Sequence, residues 1–150
     1  MKLRSLNSEL WLPVPRSEVF PFFADPENLQ ALTPEWLDFN IVSPRPIVME
    51  AGRLIDYRLK VHGIPIQWRA RISVWEPPFR FVDEQVKGPY RAWIHEHLFQ
   101  EVQGGTQVID RVQYAAIGGE LIEKLFVRRD VEKIFEYRSR KLIERFGASK

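Results

Sequence analysis

Two histidines and two aspartates in the second half of the chain could carry acid–base chemistry. His95 and His97 alternate along one predicted strand, Asp83 lies on the strand before it, and Asp110 lies on the strand after it. Residues two apart share a face of a strand, so both imidazoles point to the same side. A carboxylate beside an imidazole fixes the tautomer of the ring and favours its protonated form, as in a general acid or base. A second interpretation is a buried network of ion pairs that is structural or orients a ligand, and it requires no further partner.

The same residues could also bind a metal ion. His95 and His97 with Asp83 or Asp110 supply the donors of a two-histidine, one-carboxylate site. Any strand with two alternating histidines meets this test, so the pattern has little specificity and we predict no native metal. The sequence contains no Cys, no Gly-x-Ser-x-Gly and no phosphate-binding glycine pattern. Thiolate chemistry is therefore excluded, no other nucleophile is evident, and we predict no cofactor.

The elements that must position these residues are mostly strands. Hydrophobic residues alternate with a period of two over 5–12, 37–42, 53–61, 66–75, 79–87, 90–102 and 106–115, and Gly or Pro residues separate these runs. Two short helices are predicted over 16–24 and 25–32, where Pro21 requires the first to be short or kinked. One long amphipathic helix is predicted over 120–146.

This order of elements predicts an α+β fold. A strongly bent antiparallel sheet of about six to seven strands must cover its apolar face, and the long C-terminal helix is the only element large enough to do so. The two short helices after the first strand would close one end. A curved sheet that grips a helix leaves an enclosed space between them, and the length of 150 residues predicts one domain over 1–150.

Composition and charge narrow the classes of function. The chain is 45% hydrophobic and 13% aromatic, which predicts a globular domain with a sizeable core. Lys and Arg number 22 against 20 Asp and Glu, and the signs alternate along the chain, which argues against nucleic-acid binding. The N-terminus has no apolar signal segment, and no apolar run is long enough to span a membrane. We therefore predict a cytoplasmic protein.

A series of short segments covers most of the chain in an order that is typical of one superfamily. The segments are Pro15–Leu29, Thr33–Pro34, Trp75–Pro78, Phe81–Gln85, Gly88–Pro89 and Trp93–His97, followed by Asp110. From Leu6 to Phe146 the chain resembles the START-like, helix-grip ligand-binding superfamily, and within it a bacterial branch of polyketide cyclase/dehydrase-like proteins. The resemblance implies an internal hydrophobic cavity for lipids, polyketides or isoprenoid-like molecules, but it does not imply one activity.

The strand faces that carry the polar residues also carry the aromatic residues Phe81, Trp93 and Phe99. The opposite facing would expose these three rings together, so we expect the faces to point inward. The interior would then hold a polar cluster of Asp83, Gln85, His95, His97 and Asp110.

Three further residues, Trp36, Arg128 and Arg129, have both a functional and a structural interpretation. Trp36 could guard the mouth of the cavity or pack under its loop. Arg128 or Arg129 could reach an acidic group of a ligand or lie in solvent, and their charge favours solvent. His62, in a predicted turn, is interpreted as a surface residue.

Three hypotheses follow for function. The first is a binding module for a small hydrophobic molecule, and the second is a cofactor-free cyclase or dehydratase in which His95 or His97 acts with Asp83 or Asp110. The third is a protein-interaction module, which would have a filled cavity. The predicted ligand contacts are Tyr57, Leu59, Trp68, Ala70, Ile72, Phe81, Asp83, Gln85, Trp93, His95, Phe99, Val108, Leu121 and Leu125.

Overall fold

Seven antiparallel strands form the sheet of the part of the chain that the structure describes. The computed structural model describes residues 3–122 and 126–147. The strands are β1 (Arg4–Leu12), β2 (Asn40–Ile41), β3 (Leu54–Val61), β4 (Ile64–Glu76), β5 (Arg80–Lys87), β6 (Ala92–Val102) and β7 (Gly105–Ala115). They form one sheet in the order β1-β7-β6-β5-β4-β3-β2. The predicted α+β fold with a sheet of about six to seven strands is confirmed.

Helical segments lie between the first two strands and at the C-terminal end. They are α1 (Arg16–Phe23), α2 (Asn28–Ala31), a 3₁₀ turn at Glu35–Leu37, α3 (Gly119–Ile122) and α4 (Arg128–Phe146). The long helix predicted over 120–146 therefore corresponds to α3 and α4, with residues 123–125 outside the described part. None of the described helices combines the length and apolar character that crossing a membrane requires.

Helix α4 covers the sheet through one stripe of residues. Val131, Phe135, Arg138 and Leu142 are its buried residues, and their spacing of three or four places them on one face. Val131 and Phe135 pack with residues of β7. Arg138 thus lies on the face of α4 that packs against the sheet, where the other buried residues are apolar.

Helix α1 closes one end of the space between sheet and helix. Phe20, Phe22 and Phe23 are buried in a cluster with Leu12 and Phe99. The rings of Phe20 and Phe99 meet edge to face, with centroids 5.2 Å apart, a geometry that aromatic pairs prefer. With Pro21 inside it, α1 spans only eight residues, as the sequence predicts for a short helix.

Two predicted boundaries are wrong. The strand predicted over 37–42 is reduced to β2, because the 3₁₀ turn ends at Asp38, which adopts a left-handed conformation at φ 44° and redirects the backbone. The helix predicted over 25–32 begins only at Asn28. The carboxylate of Asp25 accepts a hydrogen bond from the Glu27 backbone at 3.0 Å, in the turn that precedes this helix.

The tight turn between β6 and β7 is centred on Gln103 and Gly104. Gln103 and Gly104 have φ 49° and 77°, as two-residue hairpin turns require, and Gly105 is already the first residue of β7. Glycine is required at 105 for another reason, since a Cβ there would overlap the carbonyl oxygen of Leu12.

Candidate functional site

A cavity of about 480 Å³ lies between the concave face of the sheet and α4. Its walls are largely apolar, and aromatic rings come from four strands, the β5–β6 turn and α4. Of the predicted ligand contacts, the residues that line it are Tyr57, Leu59, Trp68, Ala70, Ile72, Phe81, Asp83, Trp93 and His95. His97 lines it as well. The polar and aromatic faces of β5 and β6 therefore point inward, and their role in ligand binding stays a prediction.

Three predicted contacts are absent from the cavity wall. Gln85 holds the β5–β6 turn, because its side-chain amide donates to the Tyr90 carbonyl at 2.7 Å and accepts from the Tyr90 N–H at 3.1 Å. Phe99 and Val108 are each 1% exposed in the core beneath α1. Leu125 and the side chain of Leu121 lie outside the described residues.

The sequence did not indicate several cavity residues contributed by the helices and loops. They include Phe23, Leu29, Leu37, Phe39, Met49, Tyr90, Ile134 and Arg138. Phe39, Met49 and Tyr90 come from irregular segments, where no hydrophobic period shows which side chains point inward.

Two histidine–aspartate pairs cross each other at the floor of the cavity. In the sheet register, Asp83 lies opposite His95, and His97 lies opposite Asp110. The shortest contact of each carboxylate is with the other histidine: His97 Nε2 lies 2.6 Å from Asp83 Oδ2, and His95 Nε2 lies 2.7 Å from Asp110 Oδ1. His97 Nδ1 also lies 3.5 Å from Asp110 Oδ1. The two imidazoles stack with centroids 3.7 Å apart. The four predicted acid–base candidates are thus one connected cluster across β5, β6 and β7.

Arg138 completes this cluster from the helix side and was not predicted. Its Nη2 lies 3.2 Å from Asp110 Oδ1 and 3.5 Å from His97 Nδ1. It is 5% exposed, and its Nε–H has no acceptor among the described residues. The sequence places Arg138 seven residues after Val131, on the face of α4 that packs against the sheet. Because arginine is rarely buried, this spacing alone did not predict that Arg138 lies in the interior.

The electrostatics of the cluster fix most of its protonation states. Burial, together with the neighbouring His95, lowers the pKa of His97 to about 4. Burial opposes ionisation of Asp83, but the hydrogen bond from His97 and the positive charge of Arg138 help to outweigh it, and the pKa of Asp83 is lowered. Burial also opposes ionisation of Asp110, and Arg138 is the main group that lowers its pKa. At neutral pH both carboxylates are charged and His97 is neutral.

These states assign the hydrogen bonds of His97. Because Asp83 is charged and accepts only, His97 Nε2 carries the proton and donates to it. Nδ1 then carries the lone pair and accepts from Arg138. Both ring nitrogens of His97 are occupied within the protein.

Asp83, His95 and His97 could together hold a metal ion, since their donor atoms all lie within 4.8 Å of one another. Arg138 already supplies a fixed positive charge 3.5 Å from His97 Nδ1. A divalent cation would have to share the cluster with that guanidinium, which opposes its binding. The absence of a native metal stays a prediction.

One edge of the cavity carries an exposed ion pair between sheet and helix. His62, in the β3–β4 turn, lies with Nε2 2.8 Å from Asp130 Oδ2 in the first turn of α4. The His62 side chain is 66% exposed, in agreement with its interpretation as a surface residue, yet it also lines the cavity.

Trp36 lines another part of the cavity wall and is 59% exposed. Its ring contacts Tyr137 of α4 edge to face. Arg128 and Arg129 are exposed.

The sequence matches a known protein family, and the structure resembles solved structures. The family model described as polyketide cyclase / dehydrase and lipid transport matches residues 12–146. No curated protein matches the sequence. A curved antiparallel sheet that grips a long C-terminal helix around a cavity defines the START-like, helix-grip superfamily. The chain belongs to the polyketide cyclase/dehydrase and lipid transport family within it, and the resemblance noted in the sequence is confirmed.

Solved structures share the fold at low sequence identity. Protein CV1439 from Chromobacterium violaceum is 12% identical with a TM-score of 0.75, covering 97% of this chain and 98% of that one. The Zhui aromatase/cyclase from a Streptomyces species is 12% identical with a TM-score of 0.74, covering 96% and 93%. Ara h 8.0201 is 14% identical with a TM-score of 0.66, covering 95% and 99%. Identities this low show a shared fold alone.

Proposed function

We propose that this protein binds a small apolar molecule in the cavity between the sheet and α4. The observation that carries the proposal is the cavity of about 480 Å³ with aromatic rings on opposite walls, among them Trp68, Trp93 and Phe135. Cavities of this size and lining are typical of small-molecule sites. The membership in a family that includes lipid transport supports the same function.

The energetics of such a site are favourable. A ligand that buries about 300 Å² of apolar surface gains roughly 25 cal/mol per Å², which is several kcal/mol before the entropy of association is subtracted. That gain is sufficient for micromolar affinity. A protein-interaction module with a filled interior fits the open cavity less well, although a protein partner stays a prediction.

Native mass spectrometry of the purified protein tests this proposal, followed by denaturing extraction of any passenger. Titration with the neutral apolar dye Nile red provides a second measurement. We expect a one-to-one complex with an apolar molecule, or saturable Nile red fluorescence that such a molecule displaces. Absence of both a passenger and dye binding would overturn the proposal.

The second candidate function is acid–base catalysis of the cyclase or dehydratase type. His95 favours it, because its Nε2 is held by Asp110 while its Nδ1 has no hydrogen-bond partner among the described residues. An oriented imidazole with one free nitrogen beside a cavity can take a proton from a bound carbonyl compound. Both nitrogens of His97 are engaged, so His95 is the better candidate base.

Turnover of an aromatic polyketide-like substrate that is lost in His95→Gln but retained in His97→Gln would support catalysis. Retention of full turnover in His95→Gln would contradict it.

A further inference from the structure

Asp83 is the charged group of the cluster that is most open to the cavity. Its side chain is 22% exposed, whereas the side chains of Asp110 and Arg138 are each 6% exposed. Asp83 lines the cavity, and Asp110 does not. Of the two carboxylates of the cluster, Asp83 is therefore the one that the occupant of the cavity can reach.

One oxygen of Asp83 is available for a new hydrogen bond. Oδ2 accepts from His97, and no donor among the described residues contacts Oδ1. The other residues of the cluster do not donate a hydrogen bond to Oδ1. His95 Nε2 contacts Asp110, and Arg138 Nη2 contacts Asp110 and His97. A charged, partly buried oxygen without a donor costs free energy that a ligand can recover.

A second polar group faces the same space. Tyr57 is 8% exposed, lines the cavity and has no hydrogen-bond partner for its hydroxyl among the described residues. Burial and the negative charge of Asp83 raise the pKa of Tyr57, so its hydroxyl keeps its proton. An acceptor on Asp83 and a hydroxyl on Tyr57 are thus both unsatisfied within an apolar cavity.

We propose that the ligand is an apolar molecule with a hydroxyl group, which donates its hydrogen bond to Asp83 Oδ1. The proposal rests on the ligand-binding function proposed above and names the polar end of the ligand. A hydroxyl donates to an acceptor-only carboxylate, and it carries no charge that must be removed from water.

The charges of the cluster disfavour an acidic ligand. Arg138 is paired with Asp110, and His97 is neutral, which leaves the negative charge of Asp83 at the cavity surface. A second carboxylate beside it would be repelled at short distance in a poorly solvated space. A fatty acid should therefore bind more weakly than the alcohol of the same chain length.

The test compares three probes on the full chain by displacement of Nile red. Decanol and nonyl methyl ether are isomers that differ in the hydroxyl donor, and decanoate replaces the hydroxyl with a charge. We expect decanol to bind about tenfold more tightly than the ether, as a hydrogen bond to a charged acceptor allows, and decanoate to bind most weakly. Equal affinities for decanol and the ether would overturn the proposal without any variant.

Two variants locate the effect. Asp83→Asn removes the charge but keeps an oxygen for His97, and the preference for decanol should fall to twofold or less. Glu84→Gln, the adjacent residue of β5 whose side chain points to the opposite face, is the matched control and should keep the tenfold preference. A tenfold preference that survives in Asp83→Asn would overturn the proposal. Failure of Nile red and of all three probes to bind the wild-type chain would instead overturn the ligand-binding function itself.

Discussion

Asp83 accepts its hydrogen bond from His97, which is not the residue opposite it in the sheet. The register pairs Asp83 with His95, and the diagonal contact to His97 leaves His95 for Asp110. Because the two pairs cross, no histidine or aspartate of the cluster can move without disturbing a partner on another strand. Arg138 extends the same constraint to α4, so the floor of the cavity is joined to the helix that covers it.

Removal of the charge of Asp110 should destabilise the fold strongly. In Asp110→Asn the guanidinium of Arg138 loses its main counter-charge while it stays buried, and breaking one partner of a buried pair costs about 3–5 kcal/mol. Urea unfolding followed by tryptophan fluorescence measures the loss. Asp56→Asn, which breaks an exposed pair with Arg69, is the control and should cost much less. Equal losses in the two variants would show that Asp110 and Arg138 are not coupled.

Stability should fall between pH 6.5 and pH 4 because of His97. Its pKa is about 4 in the folded chain and about 6.5 when unfolded, so the unfolded state binds the extra proton within this window. Stability is therefore complete above pH 6.5 and decreases by a few kcal/mol as the pH falls towards 4. Denaturant unfolding at several pH values measures the slope.

His97→Gln retains a donor for Asp83 without the titration and should flatten this pH dependence. His62→Gln, at an exposed histidine, provides the control and should leave the slope as in the wild type. A slope unchanged by His97→Gln would assign the acid sensitivity to other groups.

Filling the cavity from the sheet should block ligand binding. Ala70 is 3% exposed and lines the wall on β4, so Ala70→Phe places a ring in the space that a ligand would occupy. We expect at least a tenfold loss of Nile red affinity, corresponding to about 1.4 kcal/mol. Gln67→Phe, exposed on the same strand, adds the same ring elsewhere and should bind the dye normally. Circular dichroism confirms that both variants are folded.

Release of the ligand should accelerate when the contact between His62 and Asp130 is broken. Asp130→Asn weakens the connection between the β3–β4 turn and α4 at the edge of the cavity. An exposed pair contributes up to about 1 kcal/mol, so the dissociation rate of Nile red should rise by up to about fivefold in stopped-flow measurements. Glu50→Gln, which alters an exposed pair with Arg53 between two residues that do not line the cavity, should leave the rate unchanged.

The alternating pattern of β5, β6 and β7 was sufficient to predict which residues share the inward face. It could not predict the crossed pairs, because they depend on the register between strands and on side-chain rotamers rather than on the period within one strand. Arg138 illustrates a different limit. Its spacing from Val131 and Leu142 marks the core face of α4, but only the position of Asp110 on another element makes a charge acceptable there.

Irregular segments were predicted least well. The segment 37–42 has apolar residues at strand spacing, yet the left-handed Asp38 ends any extended structure before Asn40. Leu37 and Phe39 from this segment line the cavity, and so does Met49 from the loop that follows. Their inward orientation comes from tertiary packing against β3 and β4 and has no counterpart in a local period.

The aromatic rings around the cluster form a continuous stack. Phe81 lies over His97 with centroids 4.1 Å apart, His97 lies over His95, and Trp93 meets the edge of His95. Each imidazole is thus held in the ring-current field of its neighbours, so its carbon-bound protons should resonate at unusual NMR frequencies. Any molecule that enters the cavity and displaces a ring by a fraction of an ångström would shift these signals, so the protein contains its own spectroscopic reporter of occupancy.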